Sequence, residues 1–203
     1  MAPVTKPHPD RPARLADMIN LPNALSLVRI VLVPLLVVVL LTPPRSWAWT
    51  GVGEAWLGAA IFAIASITDF ADGWLARRRK QVTVIGQWLD PLADKLLVIG
   101  ALVSLVQLDR VPAWIAAVII GREMAVTALR SVLQSRNVPM PASSLGKLKM
   151  AAQVTAILGL ILSPRVPFPL DWVGTVALWV VLALALWSAV DYYRRFSEVL
   201  RGD

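Results

Sequence analysis

The chain has 203 residues, of which 57% are hydrophobic and 16% are charged, whereas an ordinary soluble domain carries about 25% charged residues. With a mean hydropathy of +0.66, this apolar content exceeds what a soluble fold of this size can bury, and it excludes global disorder. The absence of Cys excludes disulfides, thiolate metal sites and a Cys nucleophile. The composition therefore predicts an integral membrane protein.

Six apolar segments, each close to the roughly 20 residues that a membrane helix needs, follow a polar N-terminal tail. Residues 1–14 contain four Pro and predict a flexible tail. Residues 15–203 are predicted to form one membrane domain, which begins with a short interfacial helix. The predicted fold is all-α, with six transmembrane helices. The segments are 23–41, 55–78, 86–108, 112–135, 146–163 and 171–192.

The Lys and Arg residues predict the orientation of these helices, because cytoplasmic loops carry an excess of positive charge. With a cytoplasmic N-terminus, 14 of the 20 Lys and Arg residues fall on the cytoplasmic side and 3 on the opposite side. The other 3, Arg29, Lys95 and Arg122, lie inside apolar segments. Both termini are then cytoplasmic in a multi-pass protein of the cell membrane. The net charge of +7 faces anionic headgroups and cytoplasmic anions, so we expect no nucleic-acid partner.

Four carboxylates lie within or at the edge of two neighbouring apolar segments, where an ionised carboxylate costs at least about 2.5–3.5 kcal/mol. Asp69 and Asp72 share one face of the second predicted helix, and Asp90 and Asp94 share one face of the third. A short basic turn joins these helices, so the four carboxylates converge. Because such anions need a counter-charge, we expect Mg²⁺ or Mn²⁺, with two ions sharing a bridging carboxylate.

Three other interpretations of these carboxylates are helix caps, a proton relay and the ion site of a divalent-cation transporter. Capping is disfavoured because Asp69 and Asp72 lie inside a helix. A relay rarely needs four carboxylates on two faces beside an Arg. Transport is disfavoured because Arg77, a fixed cation beside the carboxylates, would repel a transported metal ion.

The stretch from Asp69 to Asp94 has the pattern D-x2-D-G-x2-A-R-x8-G-x3-D-x3-D. It resembles the signature of the CDP-alcohol phosphatidyltransferases at every fixed position. The resemblance implies an integral membrane enzyme, typically a homodimer, in which Asp69, Asp72 and Asp90 hold the metals. It also implies that Asp94 completes the dinuclear site and accepts a proton from the incoming alcohol.

The same resemblance assigns the cytidine diphosphate group of CDP-diacylglycerol to Gly73 and Arg77. A glycine lets the nucleotide approach the helix backbone, and Arg77 offers a bidentate fork to phosphate. The remaining residues predicted to bind CDP-diacylglycerol are Ala76, Thr83, Asn23 and Arg29.

The second half of the chain bears on the acceptor alcohol. The segments 121–130 and 144–149 resemble the branch of the family that uses glycerol 3-phosphate and makes phosphatidylglycerol phosphate. An acceptor phosphate needs a cluster of cations, and the predicted cluster is Arg122, Arg130, Lys147 and Lys149. Two alternatives stay open: the basic residues near the loops only follow the positive-inside rule, or the acceptor is phosphatidylglycerol (giving cardiolipin) or an inositol phosphate.

Overall fold

The computed structural model describes residues 21–42, 53–79, 84–135, 144–163 and 170–201, and within these ranges it contains six helices and no strands. The all-α prediction is confirmed for this part of the chain. The predicted tail and interfacial helix lie outside the described residues. The helices are α1 (Leu21–Leu41), α2 (Glu54–Arg79), α3 (Val84–Gln107), α4 (Ala113–Ser135), α5 (Ser144–Leu162) and α6 (Leu170–Arg201).

Each predicted segment corresponds to one helix, and the ends agree to within two residues except at the C-terminal end of α6. That helix continues to Arg201, nine residues beyond the predicted end at 192. Hydropathy indicates where a helix leaves an apolar environment. The backbone, in contrast, stays helical until a residue that disfavours the helix, such as Gly or Pro, occurs. Between Tyr192 and Arg201 the sequence has neither Gly nor Pro, and Gly202 follows directly.

Two of the described helices are long and apolar enough to cross a membrane, over Ala24–Leu41 in α1 and Trp172–Val190 in α6. The apolar stretches of α2 and α5, Glu54–Thr68 and Leu148–Leu162, are shorter. The outer surface is rich in large apolar side chains: Val31, Ile67 and Trp187 are 67%, 68% and 70% exposed. Apolar surface on this scale indicates contact with lipid or with another protein, in agreement with a membrane protein.

Helix α1 lies against both α2 and α3, α5 lies against α2 and α6, and α4 packs on α3 and α6. One continuous hydrophobic core runs through these interfaces. Helix α1 therefore joins the two helices that carry the four predicted ligand carboxylates. The fully buried side chains of the core include Leu36, Phe62, Leu102, Leu105, Ile119 and Ile157.

The turn between α3 and α4 closes one end of the bundle. The Arg110 N–H donates to the Leu105 carbonyl (2.9 Å) and the Asp109 N–H to the Val106 carbonyl (3.0 Å), which is a Schellman ending with Asp109 at a left-handed φ of 56°. The Arg110 guanidinium then donates from Nη1 to the carbonyls of Leu160 and Ile161, both at 3.0 Å. Arg110 thus caps the C-terminal end of α5, where carbonyls lack helical partners.

Glycines mark the closest approaches between helices. A Cβ at Gly58 would lie 2.5 Å from Leu40 Cδ2, and a Cβ at Gly100 would lie 3.0 Å from Val33 Cγ1 and 3.4 Å from Val37 Cγ2. Small residues at such contacts let membrane helices pack closely. The contacts fix which residues of α1, α2 and α3 lie at the same level of the bundle.

Gly174 provides a test of this packing, because it lies against the backbone of α5. A Cβ there would lie 2.8 Å from Leu160 Cγ, 2.9 Å from Leu160 N and 3.1 Å from the carbonyl carbon of Gly159. The backbone of α5 cannot move aside as the end of a side chain can. We therefore expect Gly174→Ala to force α5 and α6 apart and to destabilise the fold by about 1–3 kcal/mol.

Gly121→Ala is the matched control, because nothing lies within 4 Å of a Cβ at that position. This variant is expected to be neutral or to gain up to about 1 kcal/mol from helix propensity. Thermal unfolding of the purified variants in detergent micelles measures both effects. Equal unfolding temperatures for the two variants would show that the α5–α6 contact does not require a glycine.

Candidate functional site

The close contacts of α1 set the level of the predicted site residues. Arg29 lies 11 residues before Leu40 on α1, and Asp69 lies 11 residues after Gly58 on the antiparallel helix α2. With a rise of about 1.5 Å per residue, both positions lie about 16 Å from the Leu40–Gly58 contact. The backbones of α1 and α2 therefore bring Arg29 and Asp69 to the same level.

The same counting applies to α3 and α5. Asp94 lies six residues before Gly100, and Arg29 lies six residues before position 35, midway between the two valines that contact Gly100. Helix α5 approaches α2 where a Cβ at Gly58 would lie 3.8 Å from Ile161 Cγ2, and Lys149 lies 12 residues before Ile161. Arg29, Asp69, Asp94 and Lys149 thus occupy one level, to within about a helical turn.

Direct contacts join α4, α5 and α6 at a polar cluster formed by Arg122, Glu123, Lys149 and Ser188. The Arg122 guanidinium donates from Nη1 to Glu123 Oε1 at 2.9 Å. The Lys149 ammonium forms an ion pair with the same oxygen. Arg122 also donates from Nη2 to the Ser188 hydroxyl on α6. The side chains of Arg122, Glu123 and Lys149 are only 10%, 20% and 11% exposed, so the cluster holds its charges inside the bundle.

The polar cluster lies within electrostatic range of the predicted catalytic carboxylate. Lys149 interacts electrostatically with Asp94 and Lys95 of α3 as well as with Arg122. Two of the predicted acceptor-binding residues, Arg122 and Lys149, therefore belong to the same charged region of the bundle as Asp94.

The predicted metal site is described through its helix backbones. Asp69 and Asp72 lie on α2, Asp90 and Asp94 lie on α3, and the two helices contact each other. The side chains of Asp69, Asp72 and Asp90 lie outside the described part of the structure. Among the side chains that are described, no group of three or more His, Cys, Asp or Glu could hold a metal ion. An all-carboxylate donor set is one that suits Mg²⁺ or Mn²⁺, and the dinuclear site stays a prediction.

Arg29 is the predicted nucleotide-binding residue whose side chain the structure describes. It is 1% exposed, on the same buried face of α1 as Ser26. A buried guanidinium requires anionic or carbonyl partners, and its level in the bundle is that of the aspartates. Thr83 lies outside the described residues. Six further predicted binding residues lie on described helices, but the structure describes only their backbone: Asn23, Gly73, Ala76, Arg77, Arg130 and Lys147.

Three polar residues of this region were not predicted as site residues. Ser188 gives no signal in the sequence, because a serine in an apolar helix usually bonds its own backbone, as Ser188 also does to the Ala185 carbonyl at 3.0 Å. Lys95 follows Asp94 directly. Gln153, one turn after Lys149 on α5, is nine-tenths buried, and its Nε2 has no hydrogen-bond partner in the described part of the chain. The available signals in the sequence were a Lys and a Gln inside apolar segments.

Comparison with known proteins adds an independent finding. A sequence model of the family described as CDP-alcohol phosphatidyltransferase matches residues 19–187. The chain is 43% identical over 192 residues to the CDP-diacylglycerol–glycerol-3-phosphate 3-phosphatidyltransferase of Bacillus subtilis, covering 91% of this chain and 98% of the relative. Proteins of the same name from Pseudomonas fluorescens and Salmonella choleraesuis are 37% and 38% identical; each match covers 91% of this chain and 93% or 96% of the relative.

Proposed function

Because the chain belongs to the CDP-alcohol phosphatidyltransferase family, we propose that it transfers a phosphatidyl group from CDP-diacylglycerol to glycerol 3-phosphate. The products are phosphatidylglycerol phosphate and CMP, so the protein is an enzyme of phospholipid biosynthesis. Its relatives align with about nine-tenths of the chain, and their names support both substrates. The structural observation that carries the proposal is the pair of cations, Arg122 and Lys149, which share Glu123 within electrostatic range of Asp94.

The proposal includes the placement of the enzyme in the membrane. All six helices span the bilayer of the cell membrane, both termini are cytoplasmic, and the site opens to the cytoplasm. The asymmetry of Lys and Arg residues and the exposed apolar side chains support this topology. A homodimer is the assembly that the family resemblance implies.

Asp69, Asp72, Asp90 and Asp94 would hold two Mg²⁺ or Mn²⁺ ions. When bound, the ions neutralise the diphosphate and make CMP a competent leaving group. Arg77 pairs with the diphosphate, while Gly73 and Ala76 leave room for the nucleotide on α2. Asn23, Arg29 and Thr83 complete the binding of CDP-diacylglycerol.

The reaction itself needs one proton acceptor. Asp94 takes the proton of the acceptor hydroxyl as the hydroxyl oxygen attacks the β-phosphorus of CDP-diacylglycerol. The new O–P bond joins the acceptor to the phosphatidyl group, and the bond from that phosphorus to the CMP oxygen breaks. Catalysis is then mainly positioning and charge stabilisation, as is general for phosphoryl transfer.

Arg122 and Lys149, together with Arg130 and Lys147, bind the phosphate of glycerol 3-phosphate. That group carries a charge of about −1.5 to −2 at neutral pH, which two or more cations match. An acceptor without a phosphate would lack these charge-assisted contacts, so the site favours glycerol 3-phosphate over a neutral alcohol such as free glycerol. The phosphate is therefore the main group by which the enzyme recognises the acceptor.

The direct test is release of CMP from CDP-diacylglycerol by the purified protein in detergent micelles. We expect release to require a divalent cation and to be fastest with glycerol 3-phosphate in a panel that also contains glycerol, phosphatidylglycerol and inositol phosphate. A preference for another alcohol would overturn the acceptor. Absence of CMP release with every acceptor would overturn the enzymatic function and favour the transporter.

Asp94→Asn is expected to lose turnover far more than binding of CDP-diacylglycerol. Asparagine keeps the shape and one oxygen of the side chain but cannot accept the proton, an effect worth about 10²–10⁴-fold in rate. Steady-state turnover and equilibrium binding of the nucleotide lipid measure the two quantities separately. An Asn variant with normal turnover would contradict the assigned role.

Lys149→Met is expected to raise the KM for glycerol 3-phosphate while leaving the KM for CDP-diacylglycerol nearly unchanged. A lost charge-assisted contact to phosphate costs about 1.5–3 kcal/mol, or roughly 10- to 100-fold. Arg194→Met, which removes an exposed basic residue from α6, controls for the general effect of charge. Equal shifts in the two variants would mean that Lys149 contributes only to the net charge of the protein.

A further inference from the structure

Glu123 occupies an unexpected place for a carboxylate, between the two described cations that are proposed to bind the acceptor phosphate. Its Oε1 accepts from Arg122 Nη1 at 2.9 Å and pairs with the Lys149 ammonium. A carboxylate and a phosphate compete for cations when both need the same donors. The function of Glu123 therefore depends on which donors it leaves available.

Glu123 leaves part of the Lys149 ammonium available. A guanidinium has five N–H donors and an ammonium has three. Glu123 accepts from one terminal nitrogen of Arg122, and Ser188 accepts from the other. Among its described contacts, Lys149 uses one donor in its ion pair with Glu123, so its other two can bind a phosphate while Glu123 and Ser188 hold the two cations from other sides.

Electrostatics explains why the cations need such support. Arg122 and Lys149 lie on different helices, yet they meet at one carboxylate oxygen inside the bundle. Two cations that contact the same carboxylate oxygen and have this little exposure repel each other when no anion separates them. Without an acceptor bound, Glu123 is the described anion in contact with both.

We propose that Glu123 and Ser188 are positioning residues, which hold the Arg122 guanidinium and the Lys149 ammonium in the orientation that binds the phosphate of the acceptor. This inference rests on the proposed function and adds the residues that shape its acceptor site. Glu123 sets the spacing of the two cations across α4 and α5. Ser188 fixes the plane of the guanidinium from α6. Neither residue touches the reacting atoms.

The test compares Glu123→Gln and Ser188→Ala with the wild type in steady-state kinetics, each substrate being varied in detergent micelles. Glutamine keeps the shape of Glu123 but loses the charge that holds the cations together. We expect the KM for glycerol 3-phosphate to rise about tenfold in Glu123→Gln and less in Ser188→Ala. The kcat at saturating acceptor is expected to stay within about threefold, and the KM for CDP-diacylglycerol to stay unchanged.

Two further measurements separate positioning from a general loss of structure. Inorganic phosphate, used as a competitive inhibitor against glycerol 3-phosphate, should show the same weakening in its inhibition constant. In the Lys149→Met background, Glu123→Gln should add little, because residues that act through a shared partner are not additive. Thr127→Val is the matched control, since the Thr127 hydroxyl bonds only the Glu123 backbone carbonyl, at 2.7 Å, among the contacts described for it.

The outcomes are distinct. An unchanged or lowered KM for glycerol 3-phosphate in Glu123→Gln overturns the proposal, and a lowered value would show that the carboxylate competes with the phosphate. Equal losses for both substrates, or the same loss in Thr127→Val, also overturn it and indicate a structural role. If Glu123→Gln does not fold, the KM shift in Ser188→Ala decides. A wild type that releases no CMP with glycerol 3-phosphate refutes the proposed function instead.

Discussion

A charge inside an apolar helix bundle is stable only when opposite charges and hydrogen bonds surround it. Arg122 and Lys149 meet this constraint by pairing with Glu123, in the same region of the bundle as Asp94 and Lys95. Scattered through the bundle, the same residues would each have to pay the full desolvation cost. The gathering of charge into one layer therefore determines where chemistry can take place, while the hydrophobic core fills the interfaces between the helices.

The position of that layer depends on how the helices pack. Gly58, Gly100 and Gly174 let neighbouring helices approach closely, and each contact fixes the register of a helix pair. A slip by one residue would move a side chain about 1.5 Å along the helix and turn it through about 100°. Packing at these contacts thus controls the alignment of charges farther along the helices, about 16 Å away in the case of Gly58 and Asp69.

The sequence predicts the helices well because the length of each apolar segment and the basic residues in the loops depend directly on the surrounding solvent. It also singles out Asp94 and Arg122 as candidates, since charges in apolar segments are conspicuous, whereas it predicts Lys149 only as part of a basic cluster on the cytoplasmic side. It cannot predict that Lys149 pairs with Glu123, or that Ser188 on α6 holds Arg122, because these contacts join residues 26 and 66 positions apart in the chain. Such pairings depend on helix register, which hydropathy does not encode. The extension of α6 to Arg201 was missed for a related reason, since helix propensity continues after the apolar segment ends.

The proposed reaction joins a substrate that stays in the bilayer to one that arrives from water, and the charged layer suits both. Its cations differ in their surroundings: Arg29 lies fully buried between helices, whereas Arg122 and Lys149 keep about a tenth of their side-chain surface exposed. A fully buried cation is suited to a partner that remains in the membrane, because no water competes for its donors. A cation with residual exposure can exchange a soluble anion with water, provided that a neighbouring carboxylate stabilises it while the site is empty. The different burial of these cations therefore agrees with the proposal that one substrate comes from the bilayer and the other from water.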